Sequence, residues 1–408
     1  MEGSCAGSRL RCRRTATSRS RSKARARSRA LGEQAARALE RARAFERERD
    51  VAVRLQRSLL PAQLPSIASI DLAGRYRAGT GALEIGGDWY DVVRRPDGIV
   101  HLVVGDVAGR GVNAAILMGR LSTAFRAYAL DDATAGDVLR HLLRHVGDDD
   151  MATAVCLTLD PYTGRARYAS AGHPPPLLLD DDAGTTAHLD QALAPPLGFV
   201  QPDANREEVV ALPPRATLVA YTDGLVERRD AIIDDGIARL SAVVAGSARH
   251  DAEALATAVL DGVLDDGAAR DDVALLVVRL LGPPAVLDVE VPAVPANLAP
   301  LRHRLSAWLT LRGVDDAKAA DAVLAVSEAC NNAIEHAYAV RPGTVRVVAE
   351  HRGASLQIVV EDAGGWRETD PDPERGRGIP IMHGVMERVD IERQPAATRV
   401  TLLQRLDA

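Results

Sequence analysis

Long apolar runs are missing from this 408-residue sequence. No 18 consecutive residues are both apolar and uncharged, so no membrane-spanning helix is expected. The arginine-bearing start has no apolar core segment, which argues against a secretory signal. Cysteine is scarce: Cys5, Cys12, Cys156 and Cys330 are scattered. They match neither a zinc spacing nor a dense disulfide framework, and a reducing, cytoplasmic setting fits them best. Lysine is nearly absent. Lys23 and Lys318 stand against 48 arginines, which beside abundant alanine reads as coding bias without functional meaning. No glycine-rich loop ending in Gly-Lys-Ser or Gly-Lys-Thr occurs, which excludes a P-loop nucleotide site.

What is present suits a large globular protein. Hydrophobic residues make up 47% and charged residues 26%, and the length suggests two or three domains. The net charge of -6 hides an asymmetry: residues 1–30 carry +9, leaving -15 on the other 378. An acidic body argues against nucleic acid as the main ligand, because phosphate backbones need a basic face.

Residues 1–30 alternate Ser, Arg and Ala and are expected to form a disordered basic tail. Residues 31–65 read as a charged linker helix. Ala38, Phe45, Ala52, Leu55 and Leu59 give it a thin apolar stripe, Pro61 and Pro65 stop it, and the stripe is read as wanting a partner helix or as lying on its own domain. From 66 to 281, short apolar strands alternate with turns and two helices, over about 113–129 and 252–264. The strands are expected at 99–107, 151–160, 165–172, 216–224 and 272–280. Residues 282–296, with four prolines, read as a linker containing one strand. Residues 297–408 form a second α/β domain. Its helices are expected at 297–312 and 315–338, and its strands at 344–350, 355–361 and near 398–404.

Four aspartates begin or end these strands beside small residues: Asp88 in EIGGDWYDV, Asp106 in VVGDVAGRG, Asp223 in VAYTDGLVE and Asp271 in ARDDVALLVV. Aspartate is depleted inside strands. A single Asp-Gly pair is explained by a hairpin turn, which covers Asp223 alone. Four such acids would repel one another unless cations sat between them. Hard oxygen ligands select Mg²⁺ or Mn²⁺.

These segments, with LQRSLLPAQLP before them and ASAGHPPPLLL among them, resemble the SpoIIE/RsbU-type serine phosphatases of the metal-dependent PPM superfamily, over about residues 46–281. The resemblance implies a four-layer αββα sandwich with two Mn²⁺ or Mg²⁺ ions between the sheets. By it, Asp106 bridges both ions, helped by the Val107 carbonyl, and Asp88, Asp223 and Asp271 complete the ligand set; Asp272 is adjacent to the last. It implies in-line attack on phosphoserine by metal-bound hydroxide without a phosphoenzyme, with Asp106 and Asp88 central to catalysis. Arg110 is read as a contact to substrate phosphate or as an exposed turn arginine. His173 is read as a proton donor to the leaving serine or as a turn residue fixing its prolines. Trp89 reads as packing.

A second constellation lies in VSEACNNAIEHAY. Glu328 and Asn332, four apart, share one helix face in an apolar setting. A buried Glu can act as a general base, and an Asn carbonyl can bind Mg²⁺. Downstream, VVEDAGGW places Asp362 between a strand and two glycines, and GRGIPIM runs from a flexible loop into an apolar segment. Glycines before a helix can cradle phosphate on backbone amides. These motifs resemble the GHKL ATPase fold, specifically the RsbW-type anti-sigma serine kinases, over about 287–406. The resemblance implies a two-layer α/β sandwich binding ATP with Mg²⁺. Asn332 would chelate the ion and Glu328 would activate the target serine. Asp362 would accept from the adenine amino group, Thr398 would lie beside it, and Gly364, Gly376 and Gly378 would let a lid close over phosphate. Ala397 stands where relatives carry glycine.

The whole then reads as a bacterial, cytoplasmic phosphatase. Its expected substrate is a phosphorylated STAS-type anti-sigma factor antagonist, and its second domain is an opposing kinase or captures a sigma factor. The alternative is a weakly catalytic or non-catalytic adaptor that sequesters a sigma factor or antagonist through the GHKL domain. A homodimer through the N-terminal helix is expected; nucleic acid and a membrane span are not.

Overall fold

A computed structural model describes residues 37, 39–41, 43, 60–67, 69–79, 86–131, 134–199, 206–228, 232–264, 271–337, 343–364, 378–394 and 397–406. The tail, most of the linker helix and Gly376 lie outside these residues.

The first domain is built from two sheets. One has the order β1-β11-β10-β6-β7 and the other β2-β3-β4-β5-β8, with β9 pairing β5. In chain order the strands are β1 (Ile70–Arg77), β2 (Trp89–Arg94), β3 (Val100–Val107), β4 (Ala152–Asp160), β5 (Arg165–Ala171), β6 (Leu177–Asp180), β7 (Thr185–His188), β8 (Leu193–Ala194), β9 (Glu208–Ala211), β10 (Ala216–Tyr221) and β11 (Val273–Leu280). Helices α1 (Val112–Leu130) and α2 (Ala135–Leu143) lie between β3 and β4, and α3 (Ile233–Gly246) and α4 (Ala252–Val263) lie between β10 and β11. The sequence patterning anticipated α1 and α4 but not α2 or α3. Helix α2 begins with a capping box in which Thr134 and Asp137 satisfy each other's backbone N–H, a signal that was there to be read.

The central strands β3, β4, β10 and β11 are buried on both faces, so they read as nearly continuous apolar runs. The period-2 alternation of side chains then assigns each residue to a layer. Tyr90 and Val92 of β2, Val100, Leu102 and Val104 of β3, Leu218 and Ala220 of β10, and Ala274, Leu276 and Val278 of β11 pack between the sheets. The intervening residues pack outward: Val103 and Val107 against α1 and α2, and Val219, Tyr221, Leu275 and Val277 against α3 and α4. The result is an αββα sandwich.

The second domain has one antiparallel sheet of order β12-β13-β14-β16-β15. Its elements are β12 (Val286–Pro292), α5 (Leu298–Leu311), α6 (Asp316–Asn332), β13 (Thr344–Arg352), β14 (Ser355–Asp362), α7 (Gly378–Val385), β15 (Arg388–Gln394) and β16 (Ala397–Arg405). The stretch 282–296, expected as a linker, thus supplies the sheet's first strand. Leu287, Val289, Val347, Ile358, Val360 and Leu402 face the helices and share one core with Leu305, Trp308 and Met382.

The two domains meet at a polar joint with an aromatic wedge. Tyr162, in the β4–β5 turn, packs with the second domain's core, and its hydroxyl donates to the Asp288 carbonyl at 3.0 Å. Arg304 of α5 reaches Asp160 at 3.0 Å and the Asp97 carbonyl at 2.7 Å.

Candidate functional site

Asp88, one residue before β2, and Asp106, near the end of β3, have the same parity as the inward-facing residues of their strands. Both therefore point between the sheets. Thr222, after β10, and Asp272, before β11, share that parity in the opposite sheet. Asp88, Asp106 and Asp272 line a cleft of about 230 Å³ together with Gly86, Gly87, Val107, Arg110, Asp223 and Asp271, and Thr222 stands behind it, bonded to Asp88. Backbone approaches closely here. A Cβ on Gly87 would stand 2.2 Å from the Val107 carbonyl oxygen, and one on Gly86 would stand 1.1 Å from Asp272 Oδ2, so only glycine fits either position.

The acids are not equivalent. Asp88 is buried, and Thr222 Oγ1 donates to its Oδ2 at 2.6 Å. Asp272 is also buried, and its Oδ1 accepts from Gly79 N at 2.8 Å. Asp271, one residue out of phase, leaves 64% of its side chain in solvent and pairs with Arg110 at 3.3 Å. Burial holds the Asp88 carboxyl well above the usual range, reinforced by the neighbouring Asp106. Burial likewise lifts Asp106 to about 6, and Asp223 and the pair 271–272 press it in the same direction. Asp223 is raised by burial and by Glu227.

Five carboxylates around one small cleft with one guanidinium form a charge-frustrated set that divalent cations would relieve. Among the described residues, no three His, Cys, Asp or Glu side chains are already gathered closely enough to hold an ion. An open rim still fits Mg²⁺ or Mn²⁺, because such ions keep several waters and take few carboxylates each.

Of the expected substrate contacts, Arg110 lines the cleft and His173 does not. His173 is 2% exposed, and its Nδ1 lies 2.8 Å from Thr153 Oγ1. Thr153 stands opposite Asp106 in the β3–β4 register. Burial pushes the imidazole down to about 3, so at neutral pH it has no proton to donate as an acid. The structure places His173 behind the β3–β4 pair, beside Thr153 and outside the cleft. Trp89 is fully buried and packs, as expected. Sequence reasoning missed Thr222 and Asp91. Asp91 holds Arg126 of α1 at 2.5 Å. Inward parity flagged Thr222; an acid amid a buried strand flagged Asp91.

The second constellation assembles in the C-terminal domain. Asp362 and Thr398 are register partners on β14 and β16, and their parity turns them toward the helices. They sit in a narrow slot with Ala329, Asn332, Val360, Ile379, Met382 and Val400. Asp362 Oδ1 accepts from Gly364 N at 2.9 Å, and burial raises its pKa. The Thr398 hydroxyl is buried without a well-formed hydrogen bond. Asp362 and Thr398 thus set an acceptor and a hydroxyl side by side at the end of this slot, which encloses only about 10 Å³, far less than a nucleobase fills. The first residue of α7 closes the other end: a Cβ on Gly378 would lie 3.0 Å from Glu328 Oε2 and 3.2 Å from Asn332 Oδ1. Helix α6 passes into a π-helical turn over Ala333–Ala337, directly after Asn332, a distortion frequent at functional sites.

Residues 96–281 match the SpoIIE family (Stage II sporulation protein E), and 291–403 match the histidine kinase-like ATPase domain. The chain is 30% identical over 135 residues to the serine-protein kinase RsbW of Bacillus pumilus and covers 82% of it. The chain carries a SpoIIE-family domain followed by a histidine kinase-like ATPase domain of the RsbW type. Its first domain is 26% identical over 190 residues to the phosphoserine phosphatase RsbP of Bacillus subtilis. That alignment takes in 45% of the fusion and 46% of RsbP, so the fusion spans about half of this relative's length. The crystal structure of the RsbU and RsbW domains of Rv1364c from Mycobacterium tuberculosis aligns with 85% of the fusion and 96% of that chain, at 28% identity and a TM-score of 0.51.

Proposed function

We propose that the first domain hydrolyses phosphoserine on a STAS-type anti-sigma factor antagonist and that the second binds ATP–Mg²⁺ and phosphorylates a protein of the same class. The observation that carries the first half is the convergence of Asp88, Asp106, Asp223, Asp271 and Asp272 from both sheets on one cleft. Asp106, Asp88, Asp223, Asp271 and the Val107 carbonyl would hold two Mn²⁺ or Mg²⁺ ions. Bound there, such ions polarise the phosphoryl group and lower the pKa of water. Thr222 fixes the orientation of Asp88, and Arg110, half exposed beside Asp271, can turn its guanidinium to the phosphate oxygens.

In the second domain, Asn332 would hold Mg²⁺, and Asp362 with Thr398 would take the adenine edge. Glu328 would receive the proton of the attacking serine hydroxyl while ADP leaves. Partners beyond the antagonist include a sigma factor held by the same domain, and the charged linker helix is proposed to pair two copies of the chain. Purified protein with Mn²⁺ should release phosphate from a serine-phosphorylated STAS protein, and Asp106→Asn should abolish it. Undiminished release by that variant would sink the metal assignment.

A further inference from the structure

The cleft reads only phosphate. Its walls are carboxylates, glycines, Val107 and one arginine, and nothing in it distinguishes a protein from a small ester. Discrimination must come from the rim.

One side of that rim is apolar and stands in water. Val112 and Ile116, one turn apart on the outer face of α1, are 60% and 55% exposed; Phe199 is 75% and Met151 37% exposed. Single exposed hydrophobics are ordinary, but a group of them beside a site marks a contact surface. The backbone shows that these belong together. Ala108 N donates to the Met151 carbonyl at 2.9 Å, and Arg120 donates to the His145 carbonyl at 3.0 Å. Segment 145–151 therefore runs alongside 108–120, with Val112 and Ile116 between the two tie points. Gly198 packs on the Asp150 carbonyl, which brings Phe199 to the same edge. The segment also carries three exposed acids, Asp148, Asp149 and Asp150, directly before Met151. Arg110, which lines the cleft, is two residues from Val112.

We propose that Val112, Ile116, Met151 and Phe199 dock a folded phosphoprotein that presents an apolar ridge next to its phosphoserine and a basic side chain opposite Asp148–Asp150. The proposal rests on the phosphatase reading above and names how its substrate is recognised. Apolar contact supplies affinity at the centre of such an interface, and the acids at its edge speed encounter and set orientation.

The test compares three substrates: a serine-phosphorylated STAS protein, the short phosphoserine peptide excised from it, and p-nitrophenyl phosphate. Ile116→Asp should lower kcat/KM on the intact protein at least about tenfold and leave p-nitrophenyl phosphate hydrolysis within about twofold. The peptide, which lacks the ridge, should respond like the small ester. Asp149→Lys should slow the intact protein alone and remove most of the salt dependence of its KM. Unchanged kcat/KM on the intact protein would overturn the docking surface, and so would an equal loss on all three substrates, which would mean damage to the cleft. Asp106→Asn is the separate control. If it still hydrolyses p-nitrophenyl phosphate, the phosphatase reading falls, whatever Ile116→Asp does.

Discussion

Thr222 Oγ1 donates to Asp88 Oδ2 at 2.6 Å, and the two residues belong to opposite sheets. The same hydroxyl accepts from Ala274 N at 2.9 Å, so its proton is directed at the carboxylate. This bond fixes one proposed metal ligand and ties the layers together at the cleft. Thr222→Val keeps the shape and removes the bond. Loss of such a supporting contact costs about 10–100-fold in metal affinity. Titration of phosphatase activity with Mn²⁺ should show the midpoint displaced upward by that factor, with activity recovering at saturating ion. A midpoint within twofold of the parent would remove Thr222 from the site's machinery.

The raised carboxyls predict a pH signature for folding. Asp106 titrates near 6 in the folded chain against an ordinary 3.8, and Asp88 is shifted the same way. Between those values the folded state holds protons that the unfolded chain has lost. Stability from these groups therefore falls as pH rises through that window. His173 acts oppositely. Its folded value near 3 lies below the ordinary 6.5, so its contribution rises with pH between the two. Bound Mn²⁺ isolates the carboxylates. It should raise Tm by roughly 5–10 °C at pH 7.5 and a hundredfold excess over Kd, and by much less at pH 5. Equal increments at both pH values would refute the coupling.

Asp271 and Asp272 line the same cleft and are bonded to each other, Asp272 N donating to Asp271 Oδ1 at 2.9 Å, yet their carboxylates lie in different surroundings. Strand alternation buries Asp272 against Gly79 and Gly86 and leaves Asp271 at the rim with Arg110. Asp272→Asn should cost stability as well as activity, because one oxygen that accepts from a backbone N–H is exposed to replacement by an amide in a buried place. The expected loss is about 1–3 kcal/mol by urea unfolding. Asp271→Asn should leave stability within about 0.5 kcal/mol and act on catalysis alone. The reverse ranking would exchange their roles.

Arg304 joins the domains through Asp160 and the Asp97 carbonyl, with only 11% of its side chain exposed. Removing one member of a buried pair costs about 3–5 kcal/mol, here charged to the joint and not to either core. Arg304→Ala should split thermal unfolding into two calorimetric transitions, one per domain. A single unchanged transition would mean that the joint carries no coupling.

Much of this architecture was legible in the residues. The runs at β3, β4, β10 and β11 are so nearly continuously apolar that only burial on both faces explains them, and the motif acids fall at the ends of β3, β10 and β11. What escaped has physical reasons. Helix α3 opens on an exposed pair, Ile232 at its N-cap and Ile233 as its first residue, which blurs its period, and Ile232 forms no capping side-chain bond. The strand expected within the proline-rich stretch is there as β12; what escaped was that it belongs to the second domain's sheet, where it pairs with β13 along its whole length, Pro292 included at its end, a place where a missing N–H is tolerated. The choice between two adjacent aspartates, and the place of His173, depend on which layer each side chain enters, and composition does not carry that.

Glu328 and Asn332 sit one helical turn apart beneath Gly378, and their proposed roles separate cleanly. Asn332→Ala should remove ATP–Mg²⁺ binding in isothermal titration. Glu328→Gln keeps a side chain of the same size and the same acceptor toward α7, so binding should survive within a few fold. Its amide cannot take a proton, so transfer from labelled ATP to a STAS protein should fall by about 10²–10⁴-fold. If Glu328→Gln transfers phosphate at the parent rate, the base is elsewhere. If the parent itself binds ATP but transfers none, the domain holds its partner and does not modify it, and opposition between two activities in one chain is lost.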